Sequence, residues 1–319
     1  MASSQAPLFP LPAFRREDKP AGTSSAPPGH VMLLGQALVA FHEQMLRQDL
    51  SPNTVKAFDS DLRLLARYVG GDCAVAAISR DDLAAFIRYL RYERGVPCKL
   101  KSLERRLTAL KVFFAWLTQE GVLDVDPAAA LLHHPVTTPL PQVLSDEYVA
   151  RLLTATDSRC QDASQPDARP HLLVILLLST GVKKGECMRI ALTDIDTSDA
   201  NSPTVLIRYD NVRQIHKERR LRLPPRFGVV LGQYLAQYRP VAKLFECTAR
   251  NLEYVLDNSG ALAKLPPRCV SFEALRWTCA LRDLRAGMDE DALRRKLGLS
   301  PITWAETLDK LNRLNAPAL

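Results

Sequence analysis

The residues in this sequence best suited to chemistry are its clustered cations. Arg208, Arg213, Lys217, Arg219, Arg220, Arg222 and Arg226 form the densest basic run of the chain. Guanidinium and ammonium groups at this density suit contacts to a phosphate backbone, where they replace condensed counterions and fix register without reading base identity. If the run is extended, side chains alternate, and Arg220 and Arg222 share one face. A second group comprises Arg88, Arg91, Arg94, Lys99, Lys101, Arg105, Arg106 and Lys111, gathered around one helix–turn–helix junction. Lys183 and Lys184 stand together where a helix begins. They either touch phosphate or form a solvated pair.

Other chemistries find no support. The chain has no G-x-x-x-x-G-K-[ST], no G-x-G-x-x-G after a strand, no H-E-x-x-H and no G-x-S-x-G. Histidines fall at 30, 42, 133, 134, 171 and 216, and the adjacent pair His133 and His134 would point apart. Cysteines fall at 73, 98, 160, 187, 247, 269 and 279, with no C-x-x-C pair and no histidine at ligand spacing. An odd, scattered set argues for reduced thiols and against a disulfide framework or a zinc site. No metal, no nucleotide and no other cofactor is expected.

The elements that must carry the cations are mostly helical. Hydrophobic residues make up 47% of the chain and aromatics only 7%, which favours leucine- and alanine-rich helices with buried cores. Residues 1–30 read as a disordered tail, because prolines at 7, 10, 12, 20, 27 and 28 remove backbone donors. Helical spacing then runs from Val31 to Leu50. Ser51 and Pro52 start a helix with Val55, Phe58, Leu62, Leu65 and Val69 on one face, ended by Gly70 and Gly71. Ser79 and Asp82 read as a capping box opening a third helix, with Leu83, Phe86, Ile87 and Leu90 inward and a break at Gly95 to Pro97. A fourth, from about Ser102 to Gln119, carries Leu103, Leu107, Leu110, Phe114 and Leu117, and Gly121 stops it. The aromatics Phe113, Phe114 and Trp116 are read as core packing.

These helices make one all-α domain over residues 31–123. Residues 124–142 hold Pro127, Pro135, Pro139 and Pro141 and read as a linker. The second domain, 143–319, is predicted to be mostly helical, with helices near 146–155, 170–179, 227–238, 271–286, 289–297 and 301–313. Thr204 to Ile207 and Arg219 to Leu223 read as a hairpin flanking the basic stretch. The apolar run Leu172 to Thr180 is far shorter than the roughly 20 residues that span a bilayer. The expectation is therefore a buried helix and no membrane partner. A net charge of +7 and a pI near 9.1 fit a nucleic-acid partner without requiring one.

Four segments, in order, resemble the tyrosine recombinase (phage integrase) family. SPNTVKAFDSDL, from Ser51, is similar to the start of the second helix of its core-binding, SAM-like domain. LLLSTGVKKGECMRIALTDID, Leu176 to Asp196, is similar to its T-G-[LM]-R-x-x-E turn. KERRLRLPP, from Lys217, is similar to its basic strand. SFEALRWTCALRDLRAGMDEDALRRKLGLSPITWAETLDKL, from Ser271, resembles H-x-L-R-H-T…L-G-H…Y. The fold class this implies is mainly α: a core-binding domain followed by a mixed α+β catalytic-fold domain with a small sheet or hairpin.

The family cuts DNA by attack of a tyrosine hydroxyl on a phosphodiester, supported by cations and a proton donor. Carried across by position, its first arginine falls on Lys183, which keeps the charge but loses the planar fork. Glu186 matches its acidic residue. The first histidine falls on Glu273, where a carboxylate would repel phosphate. Arg276 matches the second arginine and either binds phosphate or pairs internally with Glu186 or Glu273. Trp277 follows it where histidine is usual. The histidine of L-G-H falls on Leu299. Lys217 is the nearest candidate for the hairpin lysine, though it suits a later lysine of the motif better. The tyrosine falls on Leu308, and no tyrosine follows Tyr254. Thr307 is adjacent, but one helical residue is a rotation of about 100°, so its hydroxyl is expected to face away.

The resemblance thus implies a DNA-binding protein of the recombination and integration family without the cleavage step. Two helical domains would clamp duplex DNA, in the cytoplasm and at the nucleoid, alone, as a homo-oligomer, or beside a catalytically active recombinase. Candidate DNA contacts are Lys183, Lys184, Arg213, Lys217, Arg220, Arg222, Arg276, Arg91, Lys99, Lys101 and Arg105. Two alternatives stand beside this reading. One is an active recombinase with a non-standard nucleophile drawn from Tyr148, Tyr209, Tyr234, Tyr238 or Tyr254. The other is a protein-interaction module on the same fold.

Overall fold

In a computed structural model of the chain, residues 31–96, 98–133 and 139–316 are described. The expected N-terminal tail, Pro97, His134 and Pro135 lie outside the described residues. The chain divides into two compact units, Met1–Thr138 and Pro139–Leu319.

The first unit holds α1 (Leu34–Arg47), α2 (Pro52–Val69), α3 (Arg80–Arg88) and α4 (Leu100–Gln119). Local signals set their ends. The Ser51 hydroxyl accepts from the Thr54 N–H at 3.1 Å, with Pro52 opening α2. Ser79 and Asp82 form the expected reciprocal box: Asp82 N–H donates to Ser79 Oγ at 3.2 Å, and Ser79 N–H to Asp82 Oδ2 at 2.9 Å. A π-helical turn, Tyr89–Glu93, extends α3 before the chain breaks. The leucine stripe of α4 is buried together with Phe113, Phe114 and Trp116. Phe41 of α1 meets the Phe113 ring edge-on at 5.3 Å. The aromatics are core, as the spacing predicts.

The second unit is built around α6 (Arg169–Thr180). Its apolar run is buried on every side, because α5 (Asp146–Cys160), α8 (Arg226–Tyr238), α9 (Ala249–Leu262) and α10 (Phe272–Arg285) all pack on it. Each leucine buried this way contributes up to about 1.5–3 kcal/mol relative to exposure. Gly181 ends α6 at φ 59°; a Cβ there would lie 3.0 Å from Leu297 Cδ2 and 3.3 Å from Cys279 Sγ. Both the left-handed backbone and the close packing call for glycine. The short α7 (Lys184–Cys187) follows this turn.

The predicted hairpin is present and gains a strand. β1 (Ile195–Asp196), β2 (Thr204–Ile207) and β3 (Arg219–Arg222) form one antiparallel sheet in that order, with Val205 opposite Leu221 and Leu206 opposite Arg220. Leu221 points into the core while Arg220 and Arg222 are exposed, as alternation requires. α9 is absent from the sequence reading. Asn258, Ser259 and Gly260 resemble a turn, yet Leu252, Val255, Leu256, Ser259 and Gly260 all lie on its buried face. α11 (Glu290–Lys296) and α12 (Pro301–Asn315) close the unit over a small apolar cluster of Leu281, Leu293, Leu297, Trp304 and Leu311. Among the described residues, no helix is long and apolar enough to cross a membrane.

Candidate phosphate-binding site

Three segments far apart in sequence meet beside the Gly181 turn. Lys183 caps α7, and its backbone N–H donates to Glu186 Oε2 at 2.8 Å. Its ammonium lies 3.4 Å from the Gly298 carbonyl. Arg276 reaches in from α10, donating through Nη1 to the Gly181 carbonyl and through Nη2 to the Leu297 carbonyl at 2.7 Å. The internal pairing weighed for Arg276 is therefore replaced by backbone contacts, and among the described residues no carboxylate forms an ion pair with it.

Glu186 is instead held by Arg219 of β3, a residue that belongs to no carried-over catalytic position. Arg219 Nη2 lies 2.9 Å from Oε2 and Nη1 3.2 Å from Oε1. Its Nε donates to the Lys296 carbonyl at 2.6 Å. Tyr209 donates its hydroxyl to the same carboxylate. Gly298, at φ 60°, leaves room for this guanidinium: a Cβ would stand 2.7 Å from Nη1. Arg219 thus ties the sheet, α7 and the α11 end into one frame.

The frame concentrates positive charge. Burial lowers the Lys183 ammonium to about 8; Glu186 opposes this, and repulsion from Arg276, Lys217 and Arg219 adds to it. Burial also lowers Arg276 against the pull of Glu186, but a guanidinium still stays charged. Glu186 resists burial through the hydrogen bonds and charge of Arg219, which hold its carboxyl below the ordinary range. Burial and the Glu186 hydrogen bond push Tyr209 up to about 12, which suits a structural donor and not a nucleophile.

Lys183 and Arg276 face a cavity of about 810 Å³. Glu273, Trp277 and Leu299 line it too, so most of the sequence-predicted positions do converge. Glu273 is exposed and accepts from Trp277 Nε1 at 3.2 Å. Lys184 is paired with Glu253 at 2.8 Å. Leu308 is the exception. It packs against the Trp304 and Leu311 cluster and does not line the cavity.

Thr307 itself lines the cavity, although its hydroxyl is turned back onto the backbone. The apolar spacing 304, 308, 311 fastens α12 to its cluster, which turns Leu308 inward and presents Thr303, Glu306, Thr307 and Lys310 to the cavity. Thr307 spends its hydroxyl proton on the Thr303 carbonyl at 2.8 Å. Tyr254 also lines the cavity, from α9, and its hydroxyl oxygen accepts from Arg250 Nε at 3.0 Å. Overlooking α9 left this tyrosine without a position.

The hairpin cations divide into two kinds. Arg208 pairs with Asp194 at 2.7 Å, and Arg226 pairs with Asp157. Arg220 donates to Thr204 Oγ1 at 3.1 Å and stands 3.6 Å from Asp196. Among the described residues, Arg222 and Lys217 enter no ion pair. The Arg213 side chain lies outside the described residues. In the first unit, Lys99 and Lys101 are exposed and Arg91 lies 5.1 Å from the Tyr92 ring centre. Arg105 is committed to the buried Asp61 at 2.8 Å and to the Ala57 carbonyl at 3.3 Å, so its charge braces α2 against α4.

Residues 38–121 match the phage integrase N-terminal SAM-like domain. The tyrosine recombinase XerD of Listeria innocua is 26% identical over 222 residues, 69% of each chain. The tyrosine recombinase XerC of Roseiflexus sp. is 25% identical over 292 residues, 84% of this chain and 87% of the relative. XerC of Mycobacterium tuberculosis is 31% identical over 152 residues, about half of each chain at 46% and 49%. Among solved structures, a lambda integrase dimer bound to a COC' core site superposes with TM-score 0.67 at 15% identity, over 88% of this chain and 79% of that one. The Tn1549 transposon integrase with circular intermediate DNA gives 0.66 at 19%, over 88% and 94%. At these identities the structures carry the fold alone.

Proposed function

The sequence matches and the shared fold support membership of the tyrosine recombinase family, and from that premise we propose that this protein binds duplex DNA without cutting it. The single observation that carries this reading is at position 308. The residue that the motif resemblance assigns to the family nucleophile is a partly buried leucine packed against an apolar cluster, while Lys183 and Arg276 line the cavity beside it. A phosphodiester there would meet the Lys183 ammonium and the Arg276 guanidinium, and no hydroxyl at the position that the resemblance assigns to the nucleophile. The solved relatives described above are bound to DNA, which fits the same partner here. The protein would then act in DNA recombination or integration as a regulator or accessory, alone or with an active recombinase.

Fluorescence anisotropy with random-sequence duplex, measured across salt, tests binding. Affinity that falls steeply with salt supports the reading, and no affinity at low salt removes it.

One observation favours a second reading, in which the nucleophile comes from another element. Tyr254 lines the cavity that Lys183 and Arg276 also line. A covalent adduct that disappears in Tyr254→Phe would establish that alternative.

A further inference from the structure

A second cavity in the same unit, of about 500 Å³, shares no lining residue with the first. Its apolar wall is formed by Leu153, Ile175, Leu178 and Pro224, and Arg226 and Arg282 also line it. From this combination we propose that the cavity binds a small organic anion, an aromatic or branched carboxylate, with its apolar body on the leucines and its charge on the two arginines.

The charge balance supports an anion. Among the described residues, Asp157 is the only carboxylate in the wall, and it is already engaged, accepting from Arg226 and from Gln161 Nε2 at 3.2 Å. Arg226 meets Asp157 through one nitrogen, Nη2. Arg282 has only a 3.5 Å approach to Asp146. The side chains are 51% and 47% exposed, so donors remain for a carboxylate.

A buried histidine stands behind this pair. His171 lies on the buried α6, with Nδ1 2.9 Å from Thr156 Oγ1 and Nε2 3.5 Å from Asp157 Oδ1. It therefore backs the carboxylate that holds Arg226 at the cavity.

Isothermal titration calorimetry of the full chain with benzoate, acetate, inorganic phosphate and benzylamine tests the proposal. Benzoate is expected to bind at least tenfold more tightly than acetate or phosphate, and benzylamine not to bind. Arg226→Gln and Arg282→Gln, both half-exposed sites, should each weaken benzoate about tenfold, as loss of one charge-assisted contact does. Lys183→Met, in the first cavity, should leave it unchanged. Equal affinity for acetate and benzoate, phosphate as tight as benzoate, or loss on Lys183→Met would each overturn the assignment. If one arginine variant fails to fold, the other carries the test.

Discussion

The Arg219 guanidinium grips the Glu186 carboxylate through both of its outer nitrogens, at 2.9 and 3.2 Å, with the side chains only 9% and 1% exposed. Removing one partner leaves a buried charge uncompensated, so Arg219→Gln is expected to destabilise the protein by about 3–5 kcal/mol in urea unfolding. Arg219→Lys should rescue little, because an ammonium cannot bridge both carboxylate oxygens and the Lys296 carbonyl at once. Glu186 has a folded pKa below its ordinary value. Its stabilisation is therefore present above that ordinary value and lost as pH falls through the folded one. Stability of Glu186→Gln should depend less on pH over that acid range than stability of the wild type.

Lys183 gives a dependence in the alkaline range. With its folded pKa near 8 and its unfolded value near 10.5, the buried charge costs stability below about 8, and that cost is relieved as pH rises between the two. DNA affinity should move the opposite way, falling between pH 7 and 9 as the ammonium loses its proton. Lys183→Met should bind more weakly at pH 7 and show a flatter profile. Anisotropy titrations at fixed salt measure both.

The exposed strand cations should act as phosphate contacts. Arg222→Ala is expected to weaken binding to all duplex sequences alike and to lower the slope of log affinity against log salt by about 1. Arg105→Ala should act differently. Its charge is spent on Asp61, so the readout is lost thermal stability, and the salt slope should stay near that of the wild type.

Two glycines are required by packing. Gly181→Ala and Gly298→Ala would each place a Cβ within about 3 Å of other atoms in a left-handed backbone, and should cost about 1–3 kcal/mol. Gly232, exposed and inside α8 with nothing within 4 Å of a Cβ, is the control. Its alanine variant should gain about 0.5–1 kcal/mol. Melting curves of the three decide.

Much of this was legible in the sequence where the signal is local. Ser51, Ser79 and the leucine stripe of α4 specify their helices because caps and periodicity act within a turn or two. The alternation of Arg220, Leu221 and Arg222 likewise gave the exposed faces of β3. What escaped depends on distant neighbours. α9 was hidden by Asn258, Ser259 and Gly260, which form a turn in isolation but pack when Val270 closes over Gly260. The rotation of α12 depends on which face its cluster captures, and that is why Leu308 packs against the cluster while Thr307 lines the cavity. Arg219 looks like one more basic residue of the hairpin until Glu186 is seen beside it.

The central claim, DNA binding without strand cleavage, is tested most directly by covalent trapping. Duplexes carrying bridging phosphorothiolates, whose departing thiol does not religate, would be incubated with the wild-type protein and with Leu308→Tyr. Samples would be resolved on native and on denaturing gels. The expected result is a salt-sensitive native complex and no denaturant-resistant adduct for either protein, since a tyrosine at 308 would point into the Trp304 and Leu311 cluster. A wild-type protein–DNA band that survives denaturant, or no native complex at all, would contradict the account.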